Sequence, residues 1–196
     1  MSSNIPNIPS LFEGAGHAKL YAKYRPSYPK ELYENIQKYC QQSVANTLDL
    51  AIDVGCGNGQ STFPLVNMCK HVIGVDISRE QISEAKRAVS NADFRVGRAE
   101  DMGFLGDGTA DLMTVGTAIH WLYTPSLWRE ATRVLCPGGV LAVYSYRVHA
   151  IHNKEAHHLI WEDFYNNTLK DVWTEHRIHL DNGLALIELP FGDSIR

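Results

Sequence analysis

The sequence predicts an α/β chain built on one mostly parallel, doubly wound sheet of about five strands with helices on both faces. Three observations carry this. Short, nearly continuous apolar runs recur at residues 50–55, 71–76, 110–115 and 140–144, as strands buried on both faces do. Stretches of helical spacing alternate with them, the pattern of βαβ units. Glycines and acidic residues stand directly after the runs, at the carboxyl ends of strands where open α/β sheets bind ligands. At 196 residues and 44% apolar, one such domain can close a core without a disulfide or a metal.

The first dozen residues, with Pro6 and Pro9, are loose. Pro29 opens a helix of about three turns whose apolar residues Leu32, Tyr33, Ile36, Tyr39 and Cys40 recur at 3/4 spacing. A strand over 50–55 follows, then a short helix within 61–69 that tolerates Pro64 in its first turn, then a strand over 71–76. Ser78 and Gln81 form a capping-box pattern ahead of Ile82, Ala85, Ala88 and Val89, which share one helical face. Residues 94–96, 110–115 and 140–144 supply three more strands, with a helix over 126–135 before the last. The order is β-α-β-α-β-β-α-β, and the crossover between the third and fourth strands is irregular. Beyond 146, residues 155–172 read as a helix with Leu159, Ile160, Phe164 and Leu169 on its apolar face. Only 183–189 reads as a further strand.

Composition excludes several classes of function. With 18 basic against 22 acidic residues the formal net charge is −4, which offers no footprint for a phosphate backbone, so no nucleic-acid partner is expected. The start has no basic-apolar leader, and no run approaches the roughly 20 residues of a membrane helix, so a cytoplasmic protein without membrane contact is expected. Cys40, Cys56, Cys69 and Cys136 have no C-x-x-C spacing and read as reduced thiols. His149, His152, His157, His158, His176 and His179 match no metal-binding spacing, so no metal is expected.

The informative segment is the loop from Asp53 to Gly59, where Gly55, Gly57 and Gly59 alternate with other residues after the first strand. Such a loop can turn tightly and bring bare backbone to a ligand. A dinucleotide fingerprint would need a small residue at position 60, which is Gln60 here. The Asp53 carboxylate would also repel a pyrophosphate. At the end of the second strand, Asp76 offers two acceptor oxygens for the two hydroxyls of a ribose. The implied ligand is a nucleoside without phosphates that carries an ammonium group.

These residues resemble the class I methyltransferases that use S-adenosylmethionine. The resemblance covers about residues 12–146: D-x-G-x-G-x-G at Asp53 to Gly59, the acidic residue Asp76, the pair Ala99 and Glu100, and R-V-L-x-P-G-G from Arg133 to Gly139. Tyr24, Arg25, Pro26, Tyr28 and Pro29, with Ala118, Ile119, His120 and Trp121, are similar to the trans-aconitate methyltransferase branch. The resemblance implies a Rossmann-like domain whose cofactor is S-adenosylmethionine. Gly55, Gly57 and Gly59 would pack on its methionine part, and Asp76 would take the ribose. Ile77, Ala99 and Glu100 would lie at the adenine. Asp53 would orient the loop and meet the amino group, directly or through water. Arg25 would pair with the cofactor carboxylate, while Tyr21 and Thr117 complete the cofactor set. His120 and Trp121, after the fourth strand, are the candidates for the reaction site. Arg98 stands where many relatives carry a small or acidic residue.

The expected organisation is an N-terminal helical lid (1–45), a cofactor-binding core (46–146) and a helical tail (147–196) that reads as truncated. The full fold adds a hairpin of sixth and seventh strands beside the fifth, and the residues after 146 do not supply one. The fifth strand would then be a bare edge, open to self-association. The reaction expected is in-line methyl transfer to a small-molecule acceptor, a carboxylate oxygen, with weak or no turnover in a truncated chain. A hydroxyl or amine acceptor would instead make His120 the proton acceptor. A catalytically inactive cofactor-binding protein and a nicotinamide-dependent oxidoreductase are the alternatives.

Overall fold

Pro29 stands directly before the helix α1 (Lys30–Ser43), and its fixed φ favours the turn that begins there. The computed structural model describes residues 25–43, 48–146, 153–171 and 177–191. After α1 the chain runs β1 (Leu48–Val54), α2 (Thr62–Leu65), β2 (Cys69–Asp76), α3 (Arg79–Ala88), β3 (Asp93–Val96) and β4 (Ala110–Gly116). It continues through α4 (Ile119–Leu122), α5 (Pro125–Val134) and β5 (Leu135–Tyr144). The five strands form one sheet in the order β3-β2-β1-β4-β5, with every pair parallel. The order reverses between β1 and β4, so the switch point lies at their carboxyl ends.

Strand alternation divides the core. Ile52 and Val54 of β1 and Met113 and Val115 of β4 face one side, where Ile119, Leu127, Ala131 and Val134 cover them. Ala51 and Leu112 face the other side, against Tyr33, Ile36 and Cys40 of α1, and Leu48 at the start of β1 joins that cluster. α3 closes β2 and β3 through Ile82, Ala85, Val89 and Phe94 around Cys56. Half of the predicted capping box forms: the Gln81 N–H donates to Ser78 Oγ at 3.2 Å. The return arm does not, because the Ser78 N–H is taken by Asp76 Oδ1 at 2.8 Å.

Several expectations are corrected. The helix placed within 61–69 is the single turn α2, and Cys69 already pairs with Leu48 in β2. β5 begins at Leu135, with a register irregularity against Ala110 and Leu112, so Pro137, Gly138 and Gly139 belong to a bulged strand start. A Cβ at Gly139 would stand 2.9 Å from Cys136 O and 3.0 Å from Ala110 O, so only glycine fits there. α4, which carries His120 and Trp121, was not anticipated. The regular helix expected over 155–172 is instead α6 (Lys154–Ala156) running into π-helical turns at His157–Glu162 and Phe164–Thr168. These wider turns break the 3.6-residue period, and Leu159 and Phe164 are left exposed. Residues 183–189 are no strand: Gly183 and Leu184 both have left-handed φ (60° and 64°) in the turn that follows α7 (Arg177–Asp181). Ile187 then enters the core, 3% exposed, beside β4 and α5. Among the described residues no strand lies beyond β5, which is an edge as expected. Cys40, Cys56, Cys69 and Cys136 are free thiols, and burial pushes Cys40 up to about 11 and Cys69 up to about 12.

At Gly74, in the middle of β2, an added Cβ would lie 2.6 Å from Phe94 Cδ1 and 3.0 Å from Cys56 Sγ. Gly74→Ala should therefore destabilise the fold by about 1–3 kcal/mol through overpacking. Thermal melting would show the loss, while an unshifted midpoint would mean that Phe94 moves freely.

Candidate cofactor site

The site begins with a register. Asp53 of β1 stands opposite Thr114 of β4, which puts both side chains on one face, and Thr114 Oγ1 donates to Asp53 Oδ1 at 2.9 Å. Ser61 Oγ and Thr62 Oγ1, arriving with α2 after the glycine loop, donate to Asp53 Oδ2, each at 2.7 Å. Asp53 is fully buried, and that burial holds its carboxyl above the usual aspartate range despite the three donors. Its carboxylate lies behind the loop and ties strand, loop and α2 together.

The three glycines of the loop all have left-handed φ, for three different reasons. A Cβ at Gly55 would fall 2.6 Å from Ala118 Cβ, so this glycine lets the end of β4 approach. At Gly59 it would press on Val89, Phe94 and Ala85 at 3.2 to 3.4 Å, so this one serves the packing of α3. At Gly57 it would meet only Gln81 Oε1 at 3.9 Å, so here the backbone itself is bare. Asp76 links this point to the second strand: its Oδ2 accepts from the Gly57 N–H at 2.9 Å while Oδ1 accepts from Ser78. Burial pushes the Asp76 carboxyl up, against the pull of those N–H groups, and the residue is half-buried.

Above the loop lies a small cleft, open to solvent and lined by Gly55, Cys56, Gly57, Asn58, Gln60 and Ser61 together with Arg25, Tyr28 and Gly116. Tyr28 Oη is 2.6 Å from Thr117 Oγ1, and its ring meets that of Tyr144 edge-on with centroids 4.8 Å apart. A Cβ at Gly116 would be 3.1 Å from Tyr28 Oη and 2.7 Å from Tyr144 Cε2, so the cleft wall needs glycine there. Thr117 itself has φ 45°, a strained position for a β-branched residue. Its N–H, bonded to Tyr144 O at 2.7 Å, and the Tyr28 contact hold it there. The Arg25 guanidinium is 5.4 Å from the Tyr146 ring centroid.

The structure brings Arg25, Gly55, Gly57, Asp76 and Thr117 to one end of the sheet. Gly59 is turned into the packing under α3 and does not line the cleft. Ile77 is 60% exposed beside Asp76, Ala99 is buried, and Glu100 pairs with Arg98 at 3.5 Å. His120 is buried on α4 with its ring 4.9 Å from that of Trp121, and neither residue lines the cleft. Tyr21 lies outside the described residues. Tyr28, Asn58, Ser61 and Gly116 line the cleft but were not singled out as site residues. The usable signal for Tyr28 was its place three residues after Arg25 in the quoted motif. No cluster of metal-ligating residues occurs among the described residues.

Fold and cleft define a doubly wound α/β protein with a glycine-loop site at the switch point. The methyltransferase-domain family matches residues 52–143. A candidate methyltransferase of Dictyostelium discoideum is 34% identical over 198 residues, covering all of this chain and 73% of its own length. Methyltransferase AacuQ of Aspergillus aculeatus is 28% identical, over 85% of this chain and 50% of its own. A solved structure from Anaeromyxobacter dehalogenans, a candidate type II methyltransferase, superposes with a TM-score of 0.73 at 28% identity, covering 88% of this chain and 70% of that one. The chain belongs to the class I S-adenosylmethionine-dependent methyltransferases, and S-adenosylmethionine is the cofactor of that family. It spans 73% of the Dictyostelium relative and about half of the Aspergillus one. The donor set suits the cofactor: bare backbone at Gly57 and a cation at Arg25 line the same cleft, and Asp76 stands beside it, bonded to the Gly57 N–H.

Asp53→Ala would leave three hydroxyls without their acceptor, two of them on residues that hold the loop. It should destabilise the fold by about 3 kcal/mol or more, measured by urea denaturation. A raised native carboxyl also means that the folded state holds more protons than the unfolded one just above pH 4 or so. Stability should therefore fall as pH rises through that window, and Asp53→Asn should flatten the slope.

Proposed function

We propose that the chain binds S-adenosylmethionine across the glycine loop and directs its methyl group to a small-molecule acceptor held on the Tyr28 side of the cleft. The observation that carries this is the cleft at the switch point, with bare loop backbone on one wall and Arg25 and Tyr28 on the other. Asp76 accepts from the ribose hydroxyls, Ile77 offers an exposed apolar surface to the adenine, and Arg25 faces the cofactor carboxylate. When bound, the cofactor supplies an activated methyl on a sulfonium. The protein's own part is alignment and exclusion of water, effects worth about 7–11 kcal/mol in favourable cases.

The acceptor that suits the site is a carboxylate oxygen. It is already a nucleophile and needs no general base, and the described residues that line the cleft include no histidine and no carboxylate. The motif from Tyr24 to Pro29 supports a small polycarboxylate of the trans-aconitate type. The N-terminal segment acts as the lid, residues 46–146 as the cofactor core and the tail as its support.

Calorimetry should show binding of S-adenosylhomocysteine and none of NAD, and Asp76→Ala should weaken the former by about 1.5–3 kcal/mol, the worth of hydrogen bonds to a charged group. Affinity unchanged in a folded Asp76→Ala protein would remove Asp76 from the site. Methyl transfer to a panel of small carboxylic acids, followed by release of S-adenosylhomocysteine, tests the acceptor. Turnover only on amines or phenols would overturn the carboxylate reading.

A further inference from the structure

A β-branched residue seldom adopts a left-handed backbone, and where one does its neighbours must hold it there. Thr117, with φ 45°, is the one such case among the described residues, and it stands where β4 gives way to α4. Its conformation sets a direction. The chain leaves the line of the strand at Thr117, and the next residue, Ala118, comes to rest on the glycine loop: a Cβ at Gly55 would stand 2.6 Å from Ala118 Cβ. Two bonds hold Thr117. Its N–H donates to Tyr144 O at 2.7 Å, and its hydroxyl meets Tyr28 Oη at 2.6 Å across 89 positions of sequence. The phenol is placed independently of that second bond, because the Tyr28 ring lies edge-on to the rings of Tyr144 and Tyr33, with centroids 4.8 and 6.5 Å away. It can come so close only because Gly116 has no side chain, since a Cβ there would be 3.1 Å from Tyr28 Oη. One hydroxyl therefore ties the segment before α1 to the backbone that abuts the glycine loop.

We infer that Tyr28 is a positioning residue for the cofactor: its hydroxyl keeps Thr117 in the left-handed conformation that seats Ala118 against Gly55, and so keeps the glycine loop in its binding shape. The inference rests on the cofactor reading above and gives the Tyr28 hydroxyl a role that the reading leaves open. The strain of a left-handed threonine and the worth of one hydrogen bond are of the same order, so the bond decides which conformation of Thr117 dominates. Losing it lowers the fraction of molecules whose loop is competent, and the apparent affinity falls with that fraction. A phenol that touched the ligand directly would also support affinity, but it would do so whatever residue stood at position 117. Glycine enters the left-handed region without steric penalty. After Thr117→Gly the Tyr28 hydroxyl therefore has nothing left to hold.

The test measures S-adenosylhomocysteine binding by calorimetry in the wild type, Tyr28→Phe, Thr117→Gly and the two combined. Tyr28→Phe keeps the ring and removes only the hydroxyl, and it should weaken binding by about threefold to tenfold, one hydrogen bond's worth. In the Thr117→Gly background the same substitution should bring no further loss, whatever Thr117→Gly does by itself. Should Thr117→Gly fail to melt cooperatively, Thr117→Asn takes its place, because asparagine also tolerates the left-handed region. A Tyr28→Phe protein that melts cooperatively and binds as the wild type does overturns the inference. So does an equal loss from Tyr28→Phe in both backgrounds, which would make the phenol a direct ligand contact. Either result leaves the cofactor reading standing. A wild type that does not bind S-adenosylhomocysteine overturns the cofactor reading and this inference with it.

Discussion

Asp53 has no contact with water, yet it carries a carboxylate in the middle of a parallel sheet, and three hydroxyls converge on it from two different parts of the chain. A buried carboxylate with one partner missing is among the more destabilising features a core can hold, so each donor must arrive in place. Thr114 can reach it only if β4 pairs with β1 in the observed register, where a slip by one residue would turn Thr114 to the opposite face. Ser61 and Thr62 can reach it only if the glycine loop turns back over the end of β1. The same interaction therefore fixes a strand register and a loop conformation, and the cleft is the space those two leave between them.

The cleft is shared between parts of the chain that have no local reason to meet. Gly57 and Asp76 are joined through one backbone N–H, so the position of the loop and the position of the acidic residue are one variable. The opposite wall comes from the segment before α1, laid over the ends of β4 and β5 by the rings of Tyr28, Tyr144 and Tyr146. Thr117 sits where the two walls face each other, in a conformation stable only because its N–H and its hydroxyl are both engaged. Strain of this kind is stored where geometry matters more than local comfort.

Most of this was legible in the residues. Apolar runs, proline at the start of α1, serine before α3 and the alternating glycines each announce a local conformation, and local conformations are what a sequence spells most directly. The direction of Asp53 was not legible, because it depends on a partner 61 residues away that reads as an ordinary strand threonine. Nor was the division of labour among Gly55, Gly57 and Gly59. Positive φ explains all three alike, and only the neighbours brought in by folding tell which faces a ligand and which merely makes room for Ala118 or Phe94. In the tail, an apolar spacing that fits an α-helix meets wider turns, and the face it would have formed is dispersed.

The position of β1 has a consequence for the order of assembly. It pairs on one side with β2, a short crossover away, and on the other with β4, whose partner residues lie some sixty positions further along. Closing the longer loop has the larger entropic penalty, so the half-sheet of β1, β2 and β3 with α3 is the unit with local contacts to form first. At that stage Asp53 would hold its loop partners but lack Thr114, and the wall made by Gly116, Thr117 and Tyr28 would not yet exist. Ligand competence therefore arrives with the final strand pairings, and a bound cofactor acts on the state that contains β4 and β5, shifting the folding equilibrium toward it by mass action.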